Sequence, residues 1–253
     1  DDVESRGLGD VYKRQPYMSC SAKIPIYAVF CAAFFKKYQA LVMIGLYITG
    51  IVLGIIVALI LKNTVFRGKP VPFVMELPNY RLPSAKSVGL LLWDKAKDFI
   101  KRAFTVIFFA TIIIWFLETF DAKLNVVKDS SDSLLALIGQ AISPIFKPLG
   151  FADWRVTTSL ISGFTAKEAV VSTMAVLMNT STANLGTALS GAFSTLSALS
   201  FLVFTLLYTP CVAAVATIKR ELDSRIQTVG VVIMQCMVAW LCGCAVYQIG
   251  ALL

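Results

Sequence analysis

Apolar positions in this 253-residue chain run in long blocks rather than alternating with polar ones. Gln39–Leu61 carries no charge over 23 residues, and Thr228–Leu253 is a second uninterrupted apolar run. Ala103–Leu117 is a third, lengthened by Lys101 and Arg102, whose stems can lie along apolar surface while their heads reach water. No charge occurs between Ala169 and Ile218, a stretch that holds two apolar elements, Val156–Met178 and Leu196–Ile218, separated by Asn179–Thr187. Runs of this length match the ~20 residues that a helix needs to cross hydrocarbon. The pattern predicts an all-α, polytopic membrane protein with about four to six membrane helices.

Polar interruptions divide these blocks. Ile24–Phe35 is a shorter apolar run that Lys36-Lys37 ends. Between Lys62 and Asp98, Pro70, Pro72, Pro78 and Pro83 forbid a continuous helix. Ser84 is placed to cap an amphipathic helix running to Ile100, with Leu90–Trp93 as an interface anchor. Asp121–Ser133 reads as a polar loop, and Leu134–Gly150, interrupted by Pro144, Lys147 and Pro148, as an interfacial segment. Lys62–Arg102 holds nine Lys/Arg against three acids, which predicts a cytoplasmic basic loop. Asp121–Ser133 is then outside, and the charged turn Lys219–Arg225 returns to the cytoplasm only if Val156–Thr195 is a re-entrant hairpin. Residues 1–15 (DDVESRGLGDVYKRQ) are polar and aperiodic, unlike everything after them. They read as a non-native tail resembling translated sequencing adapter and are set aside, with no packed structure expected of them.

Composition narrows the chemistry. With 57% hydrophobic and only 15% charged residues, and a mean hydropathy of +0.76, a soluble domain is excluded. The net charge of +8 then speaks to topology and anionic lipid, and nothing interleaves basic with aromatic residues as nucleic-acid binding would require. The chain has no histidine, which removes His-based triads and His-rich metal sites. Of the six cysteines, Cys31, Cys236, Cys242 and Cys244 lie inside apolar runs and read as packing residues, and no CxxC pair exists.

The other two cysteines sit in matched, proline-broken, small-residue contexts: PYMSCSAKIP around Cys20 and LYTPCVAA around Cys211. Irregular backbone at membrane depth is tolerated where it is buried in protein or lines a cavity. A broken helix that carries a soft ligand fits a station on a metal-ion path. Cys20 with Met18 and Ser19, and Cys211 with Thr209 and the carbonyls freed before Pro210, form candidate mixed sulfur and oxygen sites. A third candidate is GFTAKEAVVST, where Thr165, Glu168 and Ser172 would share one helical stripe beside Lys167. Ser159, Ser162, Gly163, Ala166 and Thr173 form a small-residue face suited to close packing. An ionisable residue inside a membrane is a functional candidate by default.

Taken in order, PYMSCSAKIPIYAVFCAAFF, FVMELPNYRLPS, ISPIFKPLGFADWR, GFTAKEAVVST, LSALSFLVFTLLYTPCVAAVATIKRE and AWLCGCAVYQIG resemble the membrane domain of the ferrous iron transport protein B (FeoB) family, from about Pro16 to the C-terminus. Asn79 stands where that family usually has a second proline. The resemblance implies a first Gate region over about residues 16–61, the basic loop 62–102, a second Gate region over about 150–220 and a final membrane helix, 228–253. It also implies Fe(II) as the transported ion through the bacterial inner membrane, with Cys20 and Cys211 contributing to the path. A G domain upstream would bind GTP and Mg and carry the GTPase activity. No G-x-x-x-x-G-K-[ST] loop occurs in this chain, which therefore reads as a transporter fragment, not an enzyme. Small accessory cytoplasmic proteins and a homo-oligomer are further expected partners. Two rival readings are a nucleoside or other small-solute transporter with Gate-like broken helices and a non-transporting membrane scaffold. The first would call for hydrogen-bonding amide and aromatic residues at its breaks, and the second leaves the paired breaks unexplained.

Overall fold

The computed structural model describes residues 20–64, 84–102, 104–105, 108–127, 129–208, 211–222 and 224–252. The N-terminal tail, Met18, Ser19, the proline-rich part of the basic loop and Thr209 lie outside the described residues. Within them the chain is helical, with one isolated bridge between Phe120 and Val126.

A short 3-10 turn, Ser21–Lys23, leads into α1 (Ile24–Phe34), where Pro25 occupies the first turn and its missing N–H leaves nothing unpaired. α2 is Gln39–Thr64. α3 (Ala85–Arg102) begins as expected, the Ser84 hydroxyl accepting from the Ser87 N–H at 3.2 Å. α4 (Phe108–Thr119) covers the larger part of the span expected over Ala103–Leu117, of which residues 103, 106 and 107 lie outside the described ones. Just before it the Thr105 hydroxyl donates to the Lys101 carbonyl at 2.7 Å, a back-bond of the kind that bends helices. In the polar loop that follows, the Asp121 carboxylate accepts from the backbone N–H groups of Lys123 and Asn125 at 2.7 and 2.9 Å. Those bonds, the Asn125 one foremost, hold its carboxyl below the usual aspartate range.

α5 (Leu134–Ile142) passes into a 3-10 segment, Ser143–Leu149, and the chain then folds back through 106° into α6 (Trp154–Ser162). Gly150, at φ +82°, makes the turn; any Cβ there would run into the Tyr247 ring. Leu135, Ala136 and Leu149 are fully buried while Leu137, Ile138 and Ile145 are exposed, so one face of this segment packs into the core and the other stays open. α7 (Ala169–Leu177), α8 (Leu185–Ala192), α9 (Thr195–Leu207), α10 (Val212–Leu222) and α11 (Arg225–Leu252) complete the described chain. A bend of 110° separates α8 from α9, and Ser194 and Ser197 close it with a reciprocal capping box. Gln39–Val57 of α2 and the whole of α11 are long and apolar enough to cross a membrane, which makes two spans among the described residues, or up to four if each bent pair counts as one.

α9 is the centre of the molecule. A helix that is apolar all round is stable only when it is covered on all sides, and α9 is buried from Ser197 to Leu207 apart from a partly exposed Leu199. Phe201 stacks on Phe30 of α1 with ring centroids 4.6 Å apart, and Phe151 meets Phe201 edge-on at 5.3 Å. Phe204 carries the aromatic contacts down to Tyr208, at 5.4 Å. α11 lies close along α9 because Gly243 leaves room, and the Ser200 hydroxyl donates to the Gly243 carbonyl at 2.9 Å. The outer faces remain apolar: Leu41, Ile55, Ile113, Met237 and Leu241 are all exposed, the inverse of a soluble surface.

One detail of the 3-10 segment recurs elsewhere. Pro148 has no N–H to give to the carbonyl of Ile145, its i−3 partner in a 3-10 helix. The indole N–H of Trp240 on α11 donates to that carbonyl instead, at 3.0 Å, and the Gln248 amide donates to the Pro148 carbonyl, also at 3.0 Å.

Candidate functional site

The C-terminal end of α9 gathers three interruptions of the backbone. The first is its own end. α9 stops at Leu207 and Tyr208 is already extended, so the Leu206 carbonyl, in the last turn, has no intrahelical partner. The Lys23 ammonium fills it, donating to Leu206 O at 2.6 Å from the entry turn of α1. Lys23 is almost wholly buried, with 2% of its surface exposed.

The second interruption joins α6 to α7. α6 stops at Ser162, and residues 163–168 form turns before α7 begins. Gly163 is required by close approach: a Cβ would collide with Val170 and stand 2.8 Å from the Tyr208 hydroxyl. The Phe164 carbonyl accepts from the N–H of Val212, the first residue of α10, at 2.9 Å, which ties this break to the one after α9. Lys167 turns inward, 3% exposed, donating to the Tyr208 carbonyl at 3.2 Å with its ammonium 4.3 Å from the Tyr208 ring centroid. The third interruption is the turn at Cys20–Lys23 itself, where Cys20 caps the 3-10 turn.

Both candidate thiols fall at this meeting point. Cys20 is exposed, Cys211 is half-buried, and both interact electrostatically with Lys23 and with Lys167. The two matched contexts thus share the same two lysines as neighbours. Cys236 of α11 also interacts with Lys167 and Tyr208. All six cysteines are free thiols. Among the described residues no group of three or more Cys, Asp or Glu that could hold a metal ion converges.

The expected polar stripe does not form. It presumed a continuous helix, but Thr165 and Glu168 lie in the turn and only Ser172 lies on α7. Thr165 is buried and bonds the Ser162 carbonyl at 2.7 Å, whereas Glu168 and Ser172 are exposed, Ser172 bonding the Ala169 carbonyl at 3.1 Å. The small-residue face does pack closely, Ser162 and Thr173 sharing a hydroxyl hydrogen bond at 3.0 Å.

Three further polar groups were not singled out by sequence. Lys23 is one. The Tyr208 hydroxyl and both amide atoms of Gln235 are buried with no hydrogen-bond partner among the described residues. Buried polar atoms are so regularly paired that such exceptions mark places where something else binds or moves. The only sequence signal for them is an amide in the middle of an apolar helix.

Residues 43–95 match the family described as ferrous iron transport protein B C terminus, and residues 100–225 match the Gate family described as nucleoside recognition. Over 94% of its length the chain is 38% identical to the Fe(2+) transporter FeoB of Staphylococcus aureus strain MSSA476. The chain belongs to the FeoB family. Among other FeoB relatives, that of Methanocaldococcus jannaschii is 37% identical over 82% of the chain. The Fe(2+) transport protein A/Fe(2+) transporter FeoB fusion protein of Porphyromonas gingivalis is 33% identical over 94%. The chain spans 36%, 32% and 34% of these three FeoB proteins, respectively. No solved structure is significantly similar to it.

Proposed function

We propose that this chain forms the membrane path by which Fe(II) crosses the bacterial inner membrane, working with an upstream G domain that hydrolyses GTP. The observation that carries the reading is the convergence of Cys20 and Cys211 on the same lysine-capped end of α9. Fe(II) is a borderline ion suited to mixed thiolate and oxygen donors, and several weak sites let an ion enter and leave. Cys20 and Cys211 supply sulfur. Met18, Ser19 and Thr209, their neighbours in sequence, are the candidate additional ligands. The fused relative supports a small accessory protein as partner. The nucleoside alternative is not favoured, because relatives matched along nearly the whole chain are Fe(2+) transporters.

The test uses the full-length protein with its G domain in proteoliposomes. Cys211→Ser is nearly isosteric but offers a harder, weaker ligand. Radio-iron uptake is expected to fall while phosphate release from GTP stays close to wild type, and Cys242→Ser is expected to change neither. Wild-type uptake by Cys211→Ser would remove the thiolate from the path.

A further inference from the structure

Two buried ammonium groups sit on the two open carbonyls at the end of α9, Lys23 on Leu206 and Lys167 on Tyr208. Carbonyls at the end of a half-helix carry the negative end of its dipole and are the groups that coordinate cations in broken-helix transporters. Both lysines enter from other breaks, lie beside Cys20 and Cys211, and are almost fully enclosed. A neutral donor would satisfy the same oxygens without a charge, as Trp240 does at Ile145. A lysine brings a mobile point charge on a flexible four-carbon stem.

We propose that Lys23 and Lys167 are tethered cations that hold the carbonyl positions of the empty path, so that an incoming divalent cation binds only by displacing them. This rests on the iron path proposed above. Two single positive charges leave the oxygens as one double charge arrives, so the carbonyls are never bare in a low-dielectric setting where an unpaired group is costly. The displaced ammonium groups remain close to the ion and shorten its stay, which conduction requires.

The probe is Co(II), titrated into detergent-solubilised full-length protein and followed by its thiolate charge-transfer absorption, which Cys20→Ser and Cys211→Ser should weaken. Lys167→Met and Lys23→Met remove the competing charge at similar volume and should tighten Co(II) binding by about tenfold or more. Lys167→Arg keeps the charge and should not tighten it. Unchanged or weaker Co(II) binding by both methionine variants overturns the proposal. If those variants do not fold, the wild type decides: saturating Co(II) should raise acetic anhydride labelling of Lys23 and Lys167 several-fold by mass spectrometry. Unchanged labelling with a full thiolate band overturns the proposal and leaves the iron path standing. Absence of the band in the wild type is a separate failure, that of the thiolate path itself, and it takes the lysine proposal with it.

Discussion

Two breaks in this molecule leave backbone carbonyls open, and distant side chains fill them. At Pro148 the donors are neutral, the Trp240 indole and the Gln248 amide, both from α11. At the end of α9, before Pro210, the donors are the charged Lys23 and Lys167, from two other elements. The hydrogen-bond accounting is the same at both breaks, and either kind of donor would meet it. What differs is the charge. An ammonium in a membrane interior is expensive where an indole is not, and its use at one break and not the other is the contrast on which the proposed cation site rests.

Five substitutions would break or sharpen that contrast. The largest effect is expected from Pro210→Ala, which removes the residue that bars α9 from continuing past Tyr208. An interior proline disfavours a continuous helix by about 3 kcal/mol, so closing the break should lower iron uptake by about a hundredfold. Pro148→Ala should leave uptake per folded molecule unchanged; equal losses from both would erase the distinction between the breaks. Next comes Gly163→Ala. Its methyl meets Val170 and the Tyr208 hydroxyl, and overpacking of this kind costs about 1–3 kcal/mol. Thermal unfolding and uptake should fall together, and an unaffected protein would show that the turn at 163–168 yields freely. Third, Gln235→Leu removes a buried amide with no partner among the described residues, and should raise stability by about 1–2 kcal/mol while lowering uptake. A variant that is both more stable and fully active would place Gln235 with the structural break, not the charged one. Smallest is Trp240→Phe, which deletes the donor to Ile145 and should cost about 1 kcal/mol of stability with uptake intact.

Much of this was legible in the sequence. The uncharged blocks gave the membrane class and α2 and α11, and Ser84 announced its own cap. Proline carried most of that information, because a missing N–H is visible in one letter. The break at residues 163–168 contains no proline, and its apolar and polar positions also fit a helix, so Thr165, Glu168 and Ser172 were read as a stripe that does not exist. Lys23 escaped notice for a different reason. Its partner lies 183 positions away, and no local pattern reports where a long side chain ends in space. Cys236 differs from Cys242 only through the register of α11 against α9, which Gly243 and Ser200 set.

The bond from Lys23 to Leu206 also bears on how such proteins can be recombined. It joins the first described turn of the chain to the last turn of α9, so neither end of that bond is a module in its own right. A chimera that imports residues 195–222 from a relative while keeping the native N-terminal segment keeps its working end only if the two parents agree on the amine at position 23 and on the open carbonyl at 206. Crossover points drawn at loop boundaries, the usual guide in shuffling libraries, would cut this pair apart without any visible sign at the junction.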